Sequence, residues 1–421
     1  MLKLFSTNRD FCSLLMFSTT FDIGNGMFNM FMLWAVHAIY QNPMYTGIAG
    51  FMFGTPLIGS FIIGPFVDRW NKVVVLRAAC LIKLCAAVFV LAVHIFYQPV
   101  IWLFFIAILV FSTASLFSRP AYTALLPRVV EGEDLVKANA LVSIAGIIGG
   151  LGIGVILYML MEGGADFALV YGVNGVVMLI ALIFAAFLNS NESGESAVKT
   201  DKTAIKSYFG ELKTGFAFAK KGAMLPLVLA TVVMNFFSRA AYVNLPMFAE
   251  VHLGTASGYI MLSALALVGG LIGSFISRAV ESKLEIWKIL VAGFVFAGVV
   301  RIIFVNIIGD NLTRAILTYL IYIGLGSTIN IFYRALVQKL PPKNLISRVD
   351  TIIMSLCAVA IAIGALAGGF LGSFLPNVSM VFIIQGCSYF VIGIYLCCAK
   401  GVRSLPKISE LKTINDDSAI S

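Results

Sequence analysis

Charge is what this sequence has least of. Asp, Glu, Lys and Arg make up 12% of its 421 residues, against roughly 25% in an ordinary soluble domain. Histidine is scarcer still: His37, His94 and His252 stand far apart, which leaves no nucleophile and base arrangement and no zinc cluster. No Gly-Lys dipeptide occurs, so the phosphate loop Gly-x-x-x-x-Gly-Lys-[Ser/Thr] is absent and ATP hydrolysis is not expected. Only one carboxylate, Asp22, falls deep in an apolar run, whereas a membrane aspartyl protease needs two. The cysteines, Cys12, Cys80, Cys85, Cys357, Cys387, Cys397 and Cys398, are odd in number and lie in apolar runs or at their ends, so no disulfide framework is expected. The expectation is therefore a non-enzyme that uses no cofactor and no metal.

Hydrophobic residues supply 60% of the chain, with a mean hydropathy of +0.99. A membrane-crossing helix needs about 20 predominantly apolar residues, and twelve such stretches can be read between short polar breaks. They are 11–38, 45–67, 74–96, 101–123, 136–160 and 168–188, then 223–248, 257–279, 287–308, 313–338, 348–374 and 379–400. The expected fold class is all-α membrane protein with two six-helix bundles, 1–188 and 223–400. They are joined by a linker at 189–222 and followed by a polar tail at 401–421. The first run lacks a small-residue cleavage pattern and reads as a first helix, not a signal peptide.

An even number of crossings places both termini on one side. With that side cytoplasmic, its termini, loops and helix ends hold 25 of the 29 Lys and Arg. The net charge of +9 is thus a positive-inside bias and not a footprint for nucleic acid. Three further cations, Lys83, Arg239 and Arg301, fall inside spans.

Asp22 lies about 17 Å into the first span at 1.5 Å per residue, with Asn25 and Asn29 at i+3 and i+7 on the same helix face. Gly24 and Gly26 beside them permit a bend or a close approach. An intramembrane acid is by default a functional candidate; the alternative is a cluster whose side chains bond one another or a kinked backbone. Lys83, in the third span, has a similar depth. It either pairs with Asp22 or snorkels toward the cytoplasm. In the seventh span Asn235, Arg239 and Tyr242 share a face and are candidates for substrate or counter-ion contact, with a snorkelling Arg as the alternative. His37 and His94 are expected at the outer interface. Phe28, Phe31, Trp34, Phe236, Phe237, Tyr242 and Tyr322 serve equally as a substrate lining or as packing.

After the fourth span, Leu126-Pro127 opens a polar segment, expected to be a turn carrying a short surface helix. Gly146, Gly150 and Gly154 in the fifth span form a seam for close helix approach. Ile205, Tyr208, Phe209, Leu212 and Phe216 recur at helical spacing opposite Lys206 and Lys213, the pattern of an amphipathic interfacial helix. The second half restates the first. Gly273-Ser274-Phe275-Ile276-Ser277-Arg278 follows Gly64-Pro65-Phe66-Val67-Asp68-Arg69 by 209 residues, Leu340-Pro341 follows Leu126-Pro127 by 214, and Gly364, Gly368 and Gly372 follow the earlier glycine triplet by 218. Ordered repeats of this kind are found in transporters, with a binding site at the repeat interface.

The run from Gly64 through Asp68, Arg69 and Lys72 resembles the loop signature of the major facilitator superfamily, and with the 6 + 6 repeat and linker the resemblance covers nearly the whole chain. The run Ser118-Arg119-Pro120-Ala121-Tyr122-Thr123-Ala124-Leu125-Leu126-Pro127 with Ala138-Asn139 is similar to the branch containing macrolide efflux proteins and the enterobactin exporter. The resemblance implies a monomeric, bacterial inner-membrane exporter of a small amphipathic compound, driven by protons. It also implies gating roles for Gly64, Asp68, Arg69, Lys72, Arg119, Arg348, Gly146, Gly150 and Gly154, with Asp68 docking near the start of the eleventh span at Ser347 to Asp350. An uptake symporter or facilitator is built from the same parts. A channel or a receptor-like protein is the alternative of a different class.

Overall fold

The computed structural model of the chain describes residues 9–59, 63, 70–96, 100–130, 134–164, 166–188, 214–342, 345–407 and 410. The elements are α1 (Arg9–Tyr40), α2 (Pro43–Ile58), α3 (Lys72–Phe96), α4 (Ile101–Val129), α5 (Asp134–Glu162) and α6 (Phe167–Ala186). They continue with α7 (Met224–Val243), α8 (Leu245–Leu253), α9 (Ala256–Glu281), α10 (Ile286–Ile307), α11 (Leu312–Lys339), α12 (Ile346–Phe374), α13 (Ser379–Cys398) and the short α14 (Lys400–Arg403). Ten of these are long and apolar enough to cross a membrane. α1 is long enough, but Asp22, Asn25 and Asn29 dilute its hydropathy; the described part of α2 has 16 residues.

Local chemistry sets the ends. Asn42 caps α2 by accepting from the Met44 N–H at 2.9 Å, and Pro43 occupies the first turn, where a missing N–H costs nothing. Asn311 caps α11 in the same way through the Arg314 N–H at 3.0 Å. Gly254, between α8 and α9, has a φ of +72°, a left-handed conformation that a residue with a Cβ adopts only with strain.

Two expectations are corrected. The polar segment after Leu126 is not a turn with its own surface helix: α4 runs through Pro120 and Pro127 to Val129, and α5 begins at Asp134. A membrane helix accepts proline when neighbouring groups satisfy the freed carbonyls. The seventh span is also not one helix. α7 stops at Val243, and α8 starts at Leu245 with Pro246 in its first turn. The buried Asn244 at the break donates to the carbonyls of Ala240 at 2.9 Å and Gly368 at 2.8 Å. The side chain thereby occupies acceptors on α7 and α12.

The chain divides into two compact units, residues 1–198 with 254–264, and residues 199–253 with 265–421. In the first, α1 packs on α2, α4, α5 and α6, and α3 packs on α4 and α6. In the second, α10 packs on α11 and α13, and α7 on α12 and α13. The glycine rows of α5 and α12 are used differently. A Cβ at Gly364 or Gly368 would strike the α7 backbone at Phe236 or Ala240, so α12 and α7 are in backbone contact. On α5, a Cβ at Gly146 would meet no atom of the described residues within 4 Å. A Cβ added at Gly154 would lie 3.1 Å from the Ala264 Cβ, and one at Gly149 would lie 2.6 Å from an Ile23 methyl. Within the expected glycine row, close approach is thus seen at Gly149 and Gly154, while Gly146 and Gly152 meet no atom of the described residues.

Candidate functional site

The deep polar residues of the first unit gather where α1, α3 and α4 meet. Lys83 is fully buried. Its ammonium donates to the Asn25 side-chain oxygen and, at 2.8 Å, to the Ser115 hydroxyl. It also lies 4.6 Å from the Phe21 ring centre and 4.3 Å from that of Phe111. Phe111 in turn stacks on Phe28 at 3.7 Å. Lys83 thus does not snorkel: hydrogen-bond acceptors and ring faces at its own depth replace the water it would otherwise seek.

Asp22 is one helical turn before Asn25, on the open face of α1 with Gly26. It does not accept from Lys83, although Lys83 and the exposed Arg119 are the cations whose charge acts on it. Asn29 keeps the expected spacing but turns its amide inward along the helix, donating to the Asn25 carbonyl at 2.8 Å. The stripe is therefore divided: Asn25 is committed to Lys83, Asn29 to the backbone, and Asp22 is left open. Asn174 of α6 fixes α1 at this level by donating to the Gly24 carbonyl at 2.9 Å.

In the second unit, Arg239 lies 4.9 Å from the Tyr242 ring centre, five residues before the break at Asn244. Asn235 does not join them. It donates to the Thr231 carbonyl at 2.9 Å and to the Cys357 sulfur at 3.6 Å. A more deeply buried cluster lies elsewhere in this unit. Arg301 of α10, 4% exposed, donates through Nε to Gln385 of α13 at 3.0 Å, and Gln385 donates to the Tyr322 hydroxyl of α11 at 2.8 Å. Sequence reasoning marked Arg301 only as an intramembrane charge and missed Gln385. The available signal was the presence of a lone polar amide in the otherwise apolar last span.

Of the gating candidates, Gly64, Asp68 and Arg69 lie outside the described residues, as does most of the amphipathic pattern at 205–216. Lys72 is buried, with its ammonium donating to the Trp70 carbonyl at 3.0 Å. Arg348 is half-buried at the start of α12, where Gly215 approaches its Cβ. His37 stands in the last turn of α1, the end expected for it, and is 1% exposed, packed 5.7 Å from Trp34. Trp34 stacks at 5.9 Å on Tyr259, whose hydroxyl donates to the Met30 carbonyl at 3.0 Å. His94 at the end of α3 pairs at 3.2 Å with Asp166, and this hydrogen bond holds the Asp166 carboxylate below its ordinary range.

The arrangement provides an ionisable carboxylate with an open face near a buried cation, and no nucleophile is assembled beside it among the described residues. Comparison with known proteins agrees with the fold. The profile of the Major Facilitator Superfamily matches residues 14–365. A relative from Bacillus subtilis (strain 168), named "Uncharacterized MFS-type transporter YjbB", is 26% identical over 264 residues, which cover 59% of this chain and 61% of the relative's length. Among solved structures, the nucleoside transporter NupG has a TM-score of 0.69 at 12% identity, covering 92% of this chain and 98% of that one. The peptide transporter POT in complex with sulfate has a TM-score of 0.73 at 13% identity, covering 95% and 96%. A bacterial homologue of the iron transporter ferroportin in an inward-facing state has a TM-score of 0.72 at 14% identity, covering 92% and 98%.

Proposed function

The chain belongs to the Major Facilitator Superfamily, and from that premise we propose that it is a secondary transporter that exports a drug-like or siderophore-like amphipathic compound in exchange for protons. Membership makes it a multi-pass membrane transporter and not an enzyme. The observation that carries the finer reading is Asp22, an acid inside α1 that is open on one side and under the charge of Lys83 and Arg119. An ionised Asp22 is attracted to these cations, and a protonated one is not. Proton uptake therefore changes the force between α1 and its neighbours, and a state-dependent force of this kind is what couples a proton to a conformational equilibrium. The proposed setting is a bacterial plasma membrane, with both termini cytoplasmic and the protein acting as a monomer. Asn25 and Lys83 hold the site's shape. Arg239 and Tyr242 contact the compound.

Asp22→Asn keeps the shape and removes titration. Reconstituted vesicles carrying this variant should lose gradient-driven accumulation while retaining downhill exchange of the compound. Full coupled efflux by the variant would show that protons are handled elsewhere. A reversed direction of net movement under the same gradient would support uptake in place of export.

A further inference from the structure

We propose that Arg301, Gln385 and Tyr322 form a binding site for a monovalent anion, a carboxylate or a halide. A guanidinium is charged at every accessible pH, and a buried charge is tolerated only when paired and hydrogen-bonded. Arg301 is 96% buried, the complement of its 4% exposure, and its Nε hydrogen is taken by the Gln385 oxygen at 3.0 Å. Its buried Nη1 has no acceptor among the described residues. Among those residues no carboxylate lies in ion-pair contact with it either.

The surroundings point to an anion and not to a purely structural Arg. Four ring centres lie around the guanidinium carbon, Tyr322 at 4.6 Å, Phe382 at 4.7 Å, Phe304 at 5.4 Å and Tyr319 at 5.8 Å. Ring faces attract the cation but accept no directed hydrogen bond comparable to a carboxylate oxygen. Gln385 is spent on Arg301 and on the Tyr322 hydroxyl, which is itself in hydrogen-bond contact with Tyr389, so the free donor at this place is the Arg301 guanidinium. A buried cation with a free donor and aromatic walls matches a carboxylate on an aromatic compound, or a halide resident in the fold. That the anion is part of the carried compound rests on the transport reading above; that an anion binds does not.

The test is the thermal stability of the purified full chain in neutral detergent, with ionic strength held constant by potassium HEPES and then replaced stepwise by potassium benzoate or potassium chloride. Wild-type Tm should rise with the logarithm of the concentration of a binding anion above its Kd. A rise with benzoate that exceeds the one with chloride assigns the site to a carboxylate, and a rise with chloride alone assigns it to a resident halide. Gln385→Glu places a carboxylate beside Arg301. Its Tm in HEPES should equal or exceed the wild type, and its anion response should vanish. Should that variant not accumulate, Arg301→Met is measured for the same loss of response. An anion-independent wild-type Tm, or an undiminished response in either variant, overturns the site. Because no gradient enters this measurement, its failure is distinct from a failure of coupled export, which is read in vesicles with and without a protonophore.

Discussion

Lys83 and Arg301 are both buried cations set among aromatic rings, each on the third span of its half, but the chain answers them differently. Lys83 has two side-chain acceptors and an acid one turn away from one of them, whereas Arg301 has one acceptor and no acid among the described residues. The first is an internally balanced polar group that an ionisable residue can modulate. The second is a charge left for something else to complete. Composition does not separate the two, because each is one base in an apolar run. What separates them is the side chains brought in by other helices, Ser115 from α4 and Asn25 from α1 in one case and Gln385 from α13 in the other.

Deleting each cation in turn gives the largest contrast. Lys83→Met strands the Asn25 and Ser115 oxygens, at a cost of about 1–3 kcal/mol for each acceptor left without a donor. Arg301→Met strands one amide oxygen and removes a charge with no internal counter-ion. It is therefore expected to lower Tm clearly less than Lys83→Met in halide-free and carboxylate-free buffer. Equal losses in the two variants would mean that the cations are balanced alike and would remove the distinction.

The glycine rows allow a second comparison of the halves. Gly368→Ala forces a methyl into the Ala240 backbone and should destabilise by about 1–3 kcal/mol, as overpacking typically does. Gly146→Ala meets no atom of the described residues within 4 Å and should leave Tm unchanged or slightly raised, since alanine is the better helix former. Thermal melts of both variants in one detergent decide this. Similar losses would show that Gly146 is also in a close interface.

The smallest effect is expected at Asp166. Its carboxylate is held below the ordinary range mainly by the hydrogen bond from His94, so its folded-state affinity for a proton is lower than in the unfolded chain. The stabilisation is present above the unfolded carboxylate range and fades as pH falls through the folded one. Asp166→Asn should therefore lower Tm slightly at neutral pH and converge with the wild type in acid. A difference that persists undiminished at low pH would assign the effect to the shape of the loop and not to the charge. The Asp166 side chain is 74% exposed, and solvent screening keeps such pairs weak.

Much of this protein was legible in its sequence. Hydropathy alone determined an all-α membrane protein, because a bilayer accepts only segments whose backbone bonds are internal, and the spans read from composition agree closely with α9 to α13. The depth of Asp22 and Lys83 followed from their distance along a helix of known rise. Other features needed contacts between residues far apart in the chain. Pro120 and Pro127 stay inside α4, while Pro246 follows a break at which the Asn244 side chain takes carbonyls of both α7 and α12. Helix periodicity placed Asn29 and Asn235 on candidate faces, but a periodicity specifies only direction. Whether an amide reaches a neighbour or folds back onto its own carbonyls depends on what the neighbouring helix offers at that height. For the same reason Gln385 gave no sign of its partner: Arg301 lies 84 residues earlier, and only the packing of α10 on α13 brings the two together.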